Sequence, residues 1–176
     1  MAGFQTKTFI KHDDYMTPKS AWENIKHLIP KDKKIWEAFY GDGTSGKYLE
    51  ELGFDVYHED IDFFENDIAD CVISNPPFGK IKLILERLVR IKKPFILIMP
   101  SSKINTQYFR RVFIDIEKPQ LIIPRKRIQF KKMIDGKIDT TTRSQCNFDC
   151  FYYCWKMNLD NNITWLNDAV EMKKKK

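Results

Sequence analysis

Hydrophobic and polar positions along this chain follow two different spacings. Between residues 81 and 91 apolar residues recur at every third or fourth position, which predicts an amphipathic helix. The run Phe95–Met99 is wholly apolar between two prolines, which predicts a strand buried on both faces of a parallel sheet. Applied to the whole chain, these patterns predict helices over 20–29, 44–52, 81–91 and 105–113, and strands over 34–39, 54–58, 71–74, 95–99, 120–123 and 147–155.

This alternation of strands and helices predicts an α/β fold, a Rossmann-like three-layer sandwich with a mostly parallel sheet and right-handed crossovers. The segment 120–130 and the last predicted strand are separated only by a loop with a turn signal at Asp135-Gly136, so we expect these two strands to pair antiparallel. The segment between His58 and Cys71 is too short for a full helix and strand, so one strand of the sheet is expected to be vestigial. Ligands of such sheets bind at the carboxyl ends of the strands.

Composition narrows the class of protein. The 176 residues suit a single domain, expected over 1–170, followed by a disordered basic tail over 171–176. The net charge of +6 favours a polyanionic partner such as nucleic acid. No apolar stretch is long enough to cross a membrane and the N-terminus lacks a signal core, so we expect a cytoplasmic protein with no membrane partner.

The cysteines Cys146, Cys150 and Cys154 recur at every fourth position in an aromatic segment. A zinc site normally adds a fourth ligand and a Cys-x-x-Cys pair, and the histidines lie far away in the sequence. We therefore expect reduced thiols packed as small hydrophobic groups, and no metal site.

Two loops carry the candidate chemistry. The segment 41–46, Gly-Asp-Gly-Thr-Ser-Gly, fits G-x-G-x-x-G between a predicted strand and a predicted helix, where glycines let the backbone approach a nucleotide-like ligand. A tight turn alone would also need glycine. Asn75-Pro76-Pro77-Phe78 follows the strand 71–74, and its prolines fix the backbone while the Asn75 amide stays available for hydrogen bonds. The simpler alternative is an Asn-Pro turn that ends the strand and buries the phenylalanine.

Asn75-Pro76-Pro77-Phe78 resembles the catalytic motif of the S-adenosylmethionine-dependent N6-adenine methyltransferases, in which Asn or Asp precedes two prolines and an aromatic residue. The segment 37–43 is similar to the acid-x-Phe-x-Gly-x-Gly cofactor motif of that family. Tyr15-Met16-Thr17-Pro18 resembles the segment that many members place against the methionine carboxylate. The resemblance covers most of residues 15–155, in the order of the subgroup whose cofactor loop precedes its catalytic loop, and it implies the class I methyltransferase fold.

The resemblance implies S-adenosylmethionine as cofactor and a set of residues that contact it. Glu59 or Asp60 would bind the ribose, while Asp62 would accept from the cofactor adenine amine beside Phe63. The assignment among these acids is open, and a solvated acidic loop is the alternative. The cofactor-binding residues implied are Tyr15, Thr17, Pro18, Glu37, Phe39, Gly41, Gly43, Glu59, Asp60, Asp62 and Phe63.

The catalytic residues implied are Asn75, Pro76, Pro77 and Phe78. The lone pair of an adenine N6 is delocalised into the ring, so the amine reacts only when its hydrogens are held. The side-chain oxygen of Asn75 and the backbone carbonyl of Pro76 would accept both hydrogens, and Phe78 would stack on the target base. Rate would then come from alignment and electrostatic fit, without a covalent enzyme intermediate.

A basic segment, Pro124 to Lys132, interleaves cations with apolar residues. Its Pro-x-x-Arg-Ile-x-Phe core looks like a segment of small phage and viral members of this family. The expected phosphate contacts are Arg125, Lys126, Lys131 and Lys132, with Arg127 facing the site. A solvated basic hairpin is the alternative.

These features favour methylation of adenine N6 in DNA. N6 methylation of RNA is the closest alternative, followed by methylation of a protein glutamine at N5 and by an inactive, nucleic-acid-binding methyltransferase-like subunit. Because the chain has no room for a second recognition domain, selectivity could also depend on a partner subunit.

Overall fold

The computed structural model describes residues 15–134, 137–138 and 148–167. Its strands are β1 (Tyr15–Met16), β2 (Ile35–Trp36), β3 (Val56–Tyr57), β4 (Cys71–Ser74), β5 (Phe95–Pro100), β6 (Gln120–Ile123), β7 (Lys131–Ile134), β8 (Lys137–Ile138), β9 (Cys150–Trp155) and β10 (Ile163–Trp165). Its α-helices are α1 (Lys19–Glu23), α2 (Thr44–Glu51), α3 (Ile81–Arg90) and α4 (Gln107–Val112). Single 3-10 turns occupy Lys26–Leu28, Phe78–Lys80 and Ser101–Asn105.

Seven strands form the main sheet, in the order β10-β6-β9-β5-β4-β2-β3. Neighbouring strands are parallel except at β9, which runs antiparallel to both β5 and β6. The mostly parallel α/β sheet is thus confirmed, as is the antiparallel pairing of 120–123 with the aromatic strand. That strand is not the last one, however, because β10 follows it and adds to the edge beside β6.

Helices cover both faces of this sheet. Ile73 and Tyr152 point to the face covered by α1 and α2, where Trp22 and Leu49 are buried. Their sequence neighbours point to the opposite face, covered by α3 and α4, as the cluster Val72, Leu97, Tyr153, Leu88 and Phe109 indicates. Every residue of β5 is buried, as its unbroken apolar run predicts.

Several predicted boundaries are wrong. The first helix ends at Glu23 instead of residue 29, and a separate 3-10 turn follows it. The strand predicted over 34–39 is reduced to β2. The Glu37 amide still donates to the Tyr57 carbonyl at 3.0 Å, and the chain then leads into the glycine loop. No strand forms between β3 and β4 in the described segment 58–70, so β3 is the sheet edge, as the length of this segment suggested.

A second, three-stranded sheet was not predicted. In it β1 pairs antiparallel with β7, Tyr15 lying opposite Lys132 and Met16 opposite Lys131, and β7 pairs with β8. This sheet joins the N-terminal motif to the basic segment. The predicted turn at Asp135-Gly136, the domain end at residue 170 and the tail 171–176 lie outside the described residues.

Two further predictions concern membranes and thiols. In the parts of the chain that the structure describes, no helix has the length and apolar character needed to span a bilayer. Cys71, Cys150 and Cys154 are buried, and Cys71 and Cys154 are free thiols. Burial raises the pKa of the Cys71 and Cys154 thiols, which keeps them in the neutral form. Cys146 lies outside the described residues.

Candidate active site at the carboxyl edge of the sheet

The carboxyl ends of β2 and β4 lie side by side, since these strands pair in parallel with Trp36 opposite Val72. Glu37 follows β2 directly, and Ser74 is the last residue of β4. The Ser74 hydroxyl donates a hydrogen bond to Oε1 of Glu37, and both residues are almost fully buried. The predicted cofactor and catalytic segments are therefore joined by a direct contact beneath the edge of the sheet.

Asn75 is held at one end of its side chain only. Its Nδ2 donates to the backbone carbonyl of Tyr15 at 3.5 Å. Its Oδ1 is buried and accepts no hydrogen bond from any group in the described residues. Leaving such an acceptor unpaired costs roughly 1–3 kcal/mol, so an unpaired amide oxygen of this kind is more typical of a ligand site than of a structural turn.

The prolines that follow are buried, and the backbone carbonyl of Pro77 accepts from the amide of Lys80 at 3.1 Å. That bond starts the 3-10 turn Phe78–Lys80, which leads directly into α3. The apolar stripe of α3 anchors the loop against the sheet. Asn75 thus projects from a segment with little freedom to rearrange.

Four rings, Tyr15, Phe78, Phe130 and Phe148, form an aromatic cluster beside Asn75. The Phe78 ring lies 5.4 Å from Phe148 and 6.5 Å from Phe130, both edge to face. Tyr15 meets the same two rings at 5.8 Å and 6.4 Å. Tyr15 and Phe78 are only half-buried, so the cluster combines a fixed apolar wall with accessible ring surface.

Glu37 is the most perturbed acid of the site. Burial raises its pKa to about 8, although the hydrogen bonds from Ser74 and from the backbone of Phe39 oppose that rise. Its second oxygen, Oε2, is buried and has no hydrogen-bond partner among the described residues. A buried carboxyl group with one unpaired oxygen is suited to receive a proton or a cationic ligand group.

The glycine loop needs its glycines for two different reasons. Gly43 has φ +81°, and a Cβ there would lie 2.7 Å from Oη of Tyr40, closer than real side chains approach. Gly41 has φ +60°, and its Cβ would meet Sδ of Met16 at an ordinary 3.6 Å, so only its backbone conformation requires glycine. Asp42 accepts from the amide of Thr44 at 3.0 Å, which fixes the start of α2.

No protein-family model matches this chain, and no curated protein does. The assignment of a function therefore depends on the site itself.

The predicted N-terminal contacts lie next to these loops. Thr17 is buried, and Pro18 precedes α1, whose first turn closes with a bond from the Ala21 amide to the Pro18 carbonyl at 3.0 Å. Met16 is the residue nearest to Gly41. Together with the bond from Asn75 to Tyr15, these contacts bring the segment 15–18 against both loops.

The acidic segment is less well defined as a site. Glu59 and Asp60 are exposed, and Glu59 accepts from the Tyr57 hydroxyl at 3.3 Å. Asp62 is half-buried and caps the following turn by accepting from the amide of Phe64 at 2.7 Å. Which acid would contact a ribose therefore stays open.

Phe63 lies in the core and not on a ligand-facing surface. Its ring is fully buried, 4.9 Å from Phe39 and 5.6 Å from Trp36, with the Arg87 guanidinium over it at 5.7 Å. The contact that the resemblance implies with a cofactor adenine has no exposed ring surface on which to form. Phe63 instead supports Phe39, which is half-buried.

The basic segment lies at the same edge of the sheet, because it follows the carboxyl end of β6. Arg125, Lys126, Lys131 and Lys132 are exposed, as phosphate contacts would be. Arg127 was expected to face the site, but its Nε lies 2.9 Å from a carboxylate oxygen of Asp149 on an exposed part of the surface. That pairing lowers the pKa of Asp149.

Sequence reasoning missed two contributors to the site. Ser74 was interpreted only as the end of a strand, although its place directly before Asn75 is a usable signal. Phe148 was assigned to a strand, yet it precedes β9 and its ring contacts Tyr15, Phe78 and Phe130. Only the sheet order and the second sheet bring these residues together.

Proposed function

We propose that this chain transfers a methyl group from S-adenosylmethionine to N6 of an adenine, with DNA as the preferred substrate. The observation that carries the proposal is the buried Oδ1 of Asn75, which is unpaired among the described residues. Asn75 directly follows β4 and lies beside a half-exposed aromatic ring. An exocyclic amine of a base would supply the hydrogen-bond donor that this oxygen lacks. The mostly parallel sheet with one inserted antiparallel strand is compatible with the class I methyltransferase fold.

The residues present fit the cofactor. Glycines with positive φ at 41 and 43 open the loop after β2, and the unpaired Oε2 of Glu37 lies at its base. A carboxylate suits the ammonium group of the methionine moiety, and Thr17 and Gly41 would line the same side. When bound, S-adenosylmethionine supplies a methyl group on a positively charged sulfur, which is the reactive carbon of the proposed reaction.

The chain's own contribution is to position the amine. Oδ1 of Asn75 would accept one N6 hydrogen and the carbonyl of Pro76 the other, so that the nitrogen lone pair is freed for attack. Since both acceptors are fixed by the prolines, little reorganisation is needed as positive charge develops on nitrogen. Phe78 would stack on the base, which must leave the helix if the substrate is a duplex.

The exposed cations after β6 and in β7 favour a nucleic acid over a protein glutamine as substrate. DNA is preferred over RNA because of the resemblance of the basic segment to phage-type DNA enzymes. A partner subunit would add selectivity for a target sequence.

Methyl-labelled S-adenosylmethionine and purified protein, incubated with duplex DNA, single-stranded DNA or structured RNA, test the proposal. We expect label on N6 of adenine in DNA, and its loss in Asn75→Ala. Label on RNA alone would move the substrate to RNA, and label on a protein glutamine would move it to protein. Measurable cofactor binding without transfer to any polymer would indicate a missing partner, whereas absence of cofactor binding would favour the inactive-subunit alternative and overturn the proposal.

A further inference from the structure

A groove beside α1 is separate from the Asn75 site. It has a volume of about 280 Å³ and lies between α1, the basic segment and the residues after β10. Three cations and three carboxamides line it: Arg125, Lys126, Arg127, Asn24, Gln129 and Asn167. Among the described residues that line it, none has an acidic side chain.

This combination of side chains indicates the kind of ligand that the groove would bind. Arginine and lysine neutralise phosphates, which supplies affinity without sequence preference. Carboxamides present a donor and an acceptor together, the pattern that pairs with base edges, adenine above all. A groove for a small anion alone would need the cations but not three carboxamides.

The groove is built on fixed elements. Ile128 is part of its lining and is buried in the core cluster that includes Trp22 of α1. The ion pair between Arg127 and Asp149, at 2.9 Å, restrains the direction of the guanidinium group. Its residues are thus held by packing on one side and remain exposed on the other.

The distance between the groove and Asn75 is limited by the few residues that connect the groove to the aromatic cluster. Gln129 directly precedes Phe130, whose ring lies 6.5 Å from Phe78 in the aromatic cluster. Three residues of extended chain, from Arg127 to Phe130, span at most about 10 Å. That is the length of about three stacked nucleotides at a rise of 3.4 Å.

We propose that this groove binds the nucleic-acid strand next to the target adenine. Because the step from Phe130 to Phe78 adds 6.5 Å to that span, its carboxamides would select bases within about five nucleotides of that adenine. The inference rests on the proposed function for the place of the target base at Asn75. The groove would give the chain a preference for the bases around the target adenine without the help of a separate recognition domain or partner.

Binding without cofactor tests this independently of catalysis. The probes are fluorescent single-stranded DNA oligonucleotides with one central adenine and randomised flanks, and RNA of the same design. The bound fraction is sequenced for wild type and for Asn24→Ala, Gln129→Ala and Asn167→Ala. Gln107→Ala is the matched control, because Gln107 is equally exposed but lies on α4, which packs on the opposite face of the sheet.

We expect wild type and Gln107→Ala to enrich the same flanking bases, and at least one groove variant to lose about tenfold of the preference at one position. That result in a protein that binds no S-adenosylmethionine would refute the proposed function and keep the groove as a binding site. Methylation with unchanged flanking preference in all three groove variants would overturn the groove while the proposed function stands. Enrichment in the RNA pool alone would identify the strand as RNA.

Discussion

The two loops that meet at the site are built from opposite kinds of residue. The loop after β2 depends on Gly41 and Gly43, whose positive φ values are strained for other residues. The loop after β4 depends on Pro76 and Pro77, which limit the backbone to one shape. Yet each loop follows a side chain with a buried oxygen that has no partner among the described residues, Oε2 of Glu37 in the first and Oδ1 of Asn75 in the second.

In the proposed reaction, the two loops would have different tasks. A loop that wraps a large ligand needs close backbone approach, which glycine allows. A loop that aligns one small amine needs a fixed acceptor, which proline secures. Substitutions in the first loop should therefore change binding, and those in the second should change rate.

The largest effect is expected from Asn75→Ala. Removing one preorganised polar partner should lower the turnover rate by roughly two to three orders of magnitude. The affinity for S-adenosylmethionine should stay within about threefold of wild type, because Asn75 belongs to the loop that holds the amine. Labelled methyl transfer gives the rate and calorimetry gives the affinity.

Asn161→Ala, at an exposed position after β9, is the control for this experiment. Turnover near that of wild type in Asn75→Ala would remove the catalytic role from this loop. An equal loss of cofactor affinity would show that the two loops are not divided as described.

The next effect is expected on protein stability when Glu37 is replaced, and it can be measured without cofactor. The folded protein keeps the Glu37 proton up to about pH 8, whereas the unfolded chain releases it near 4.5. At this group the folded state therefore binds more protons across that window, so the contribution of Glu37 to wild-type stability falls as the pH rises through it. Glu37→Gln cannot ionise and keeps an oxygen for Ser74, so it should gain stability relative to wild type, by on the order of 5 kcal/mol near pH 9.

Urea unfolding between about pH 5 and pH 9 measures this difference. Glu65→Gln, which alters an exposed acid, is the matched control and should show no such trend. A constant difference between Glu37→Gln and wild type across the window would mean that Glu37 ionises normally.

Gly43→Ala should have a smaller effect, which we expect on the affinity for S-adenosylmethionine. Its Cβ would displace Tyr40, and the positive φ adds about 1 kcal/mol of backbone strain. We expect the dissociation constant for S-adenosylmethionine to rise about tenfold, measured by calorimetry. Gly53→Ala is the control, since Gly53 also has a positive φ but its Cβ would meet no atom within 4 Å.

Adding Tyr40→Ala to Gly43→Ala removes the collision but not the strain, so it should restore stability in part. If Gly43→Ala and Gly53→Ala lowered stability equally and left cofactor affinity unchanged, the loop would be only a tight turn.

The sequence predicted those parts of the fold that local pattern determines. β4 is a short apolar run that ends before Asn75-Pro76, β5 is an apolar run between Pro94 and Pro100, and α3 carries a continuous apolar stripe. Each agrees with its prediction within one residue. β10 was missed because three residues, Ile163-Thr164-Trp165, are too few for an alternating pattern to indicate a strand.

The candidate site was predictable as motifs but not as contacts. The bond between Ser74 and Glu37 depends on β2 and β4 being neighbours, which no local pattern reveals. Likewise, the aromatic cluster forms only because β1 pairs with β7 and places Tyr15 near Phe130. Long-range pairing, not residue type, limited the prediction.

The smallest effect is expected from a substitution in β7, the strand through which the proposed catalytic loop would approach the nucleic acid. Lys131 is exposed opposite Met16, so Lys131→Ala should remove one phosphate contact without touching Asn75. The slope of log affinity against log salt should become shallower by about 0.7 for single-stranded and 0.9 for duplex DNA, with turnover at saturation unchanged. Fluorescence anisotropy at several salt concentrations measures it, with Lys82→Ala on α3 as control. A slope identical to wild type would assign Lys131 to the solvated basic hairpin, and a fall in saturated turnover would place β7 in the alignment of the base.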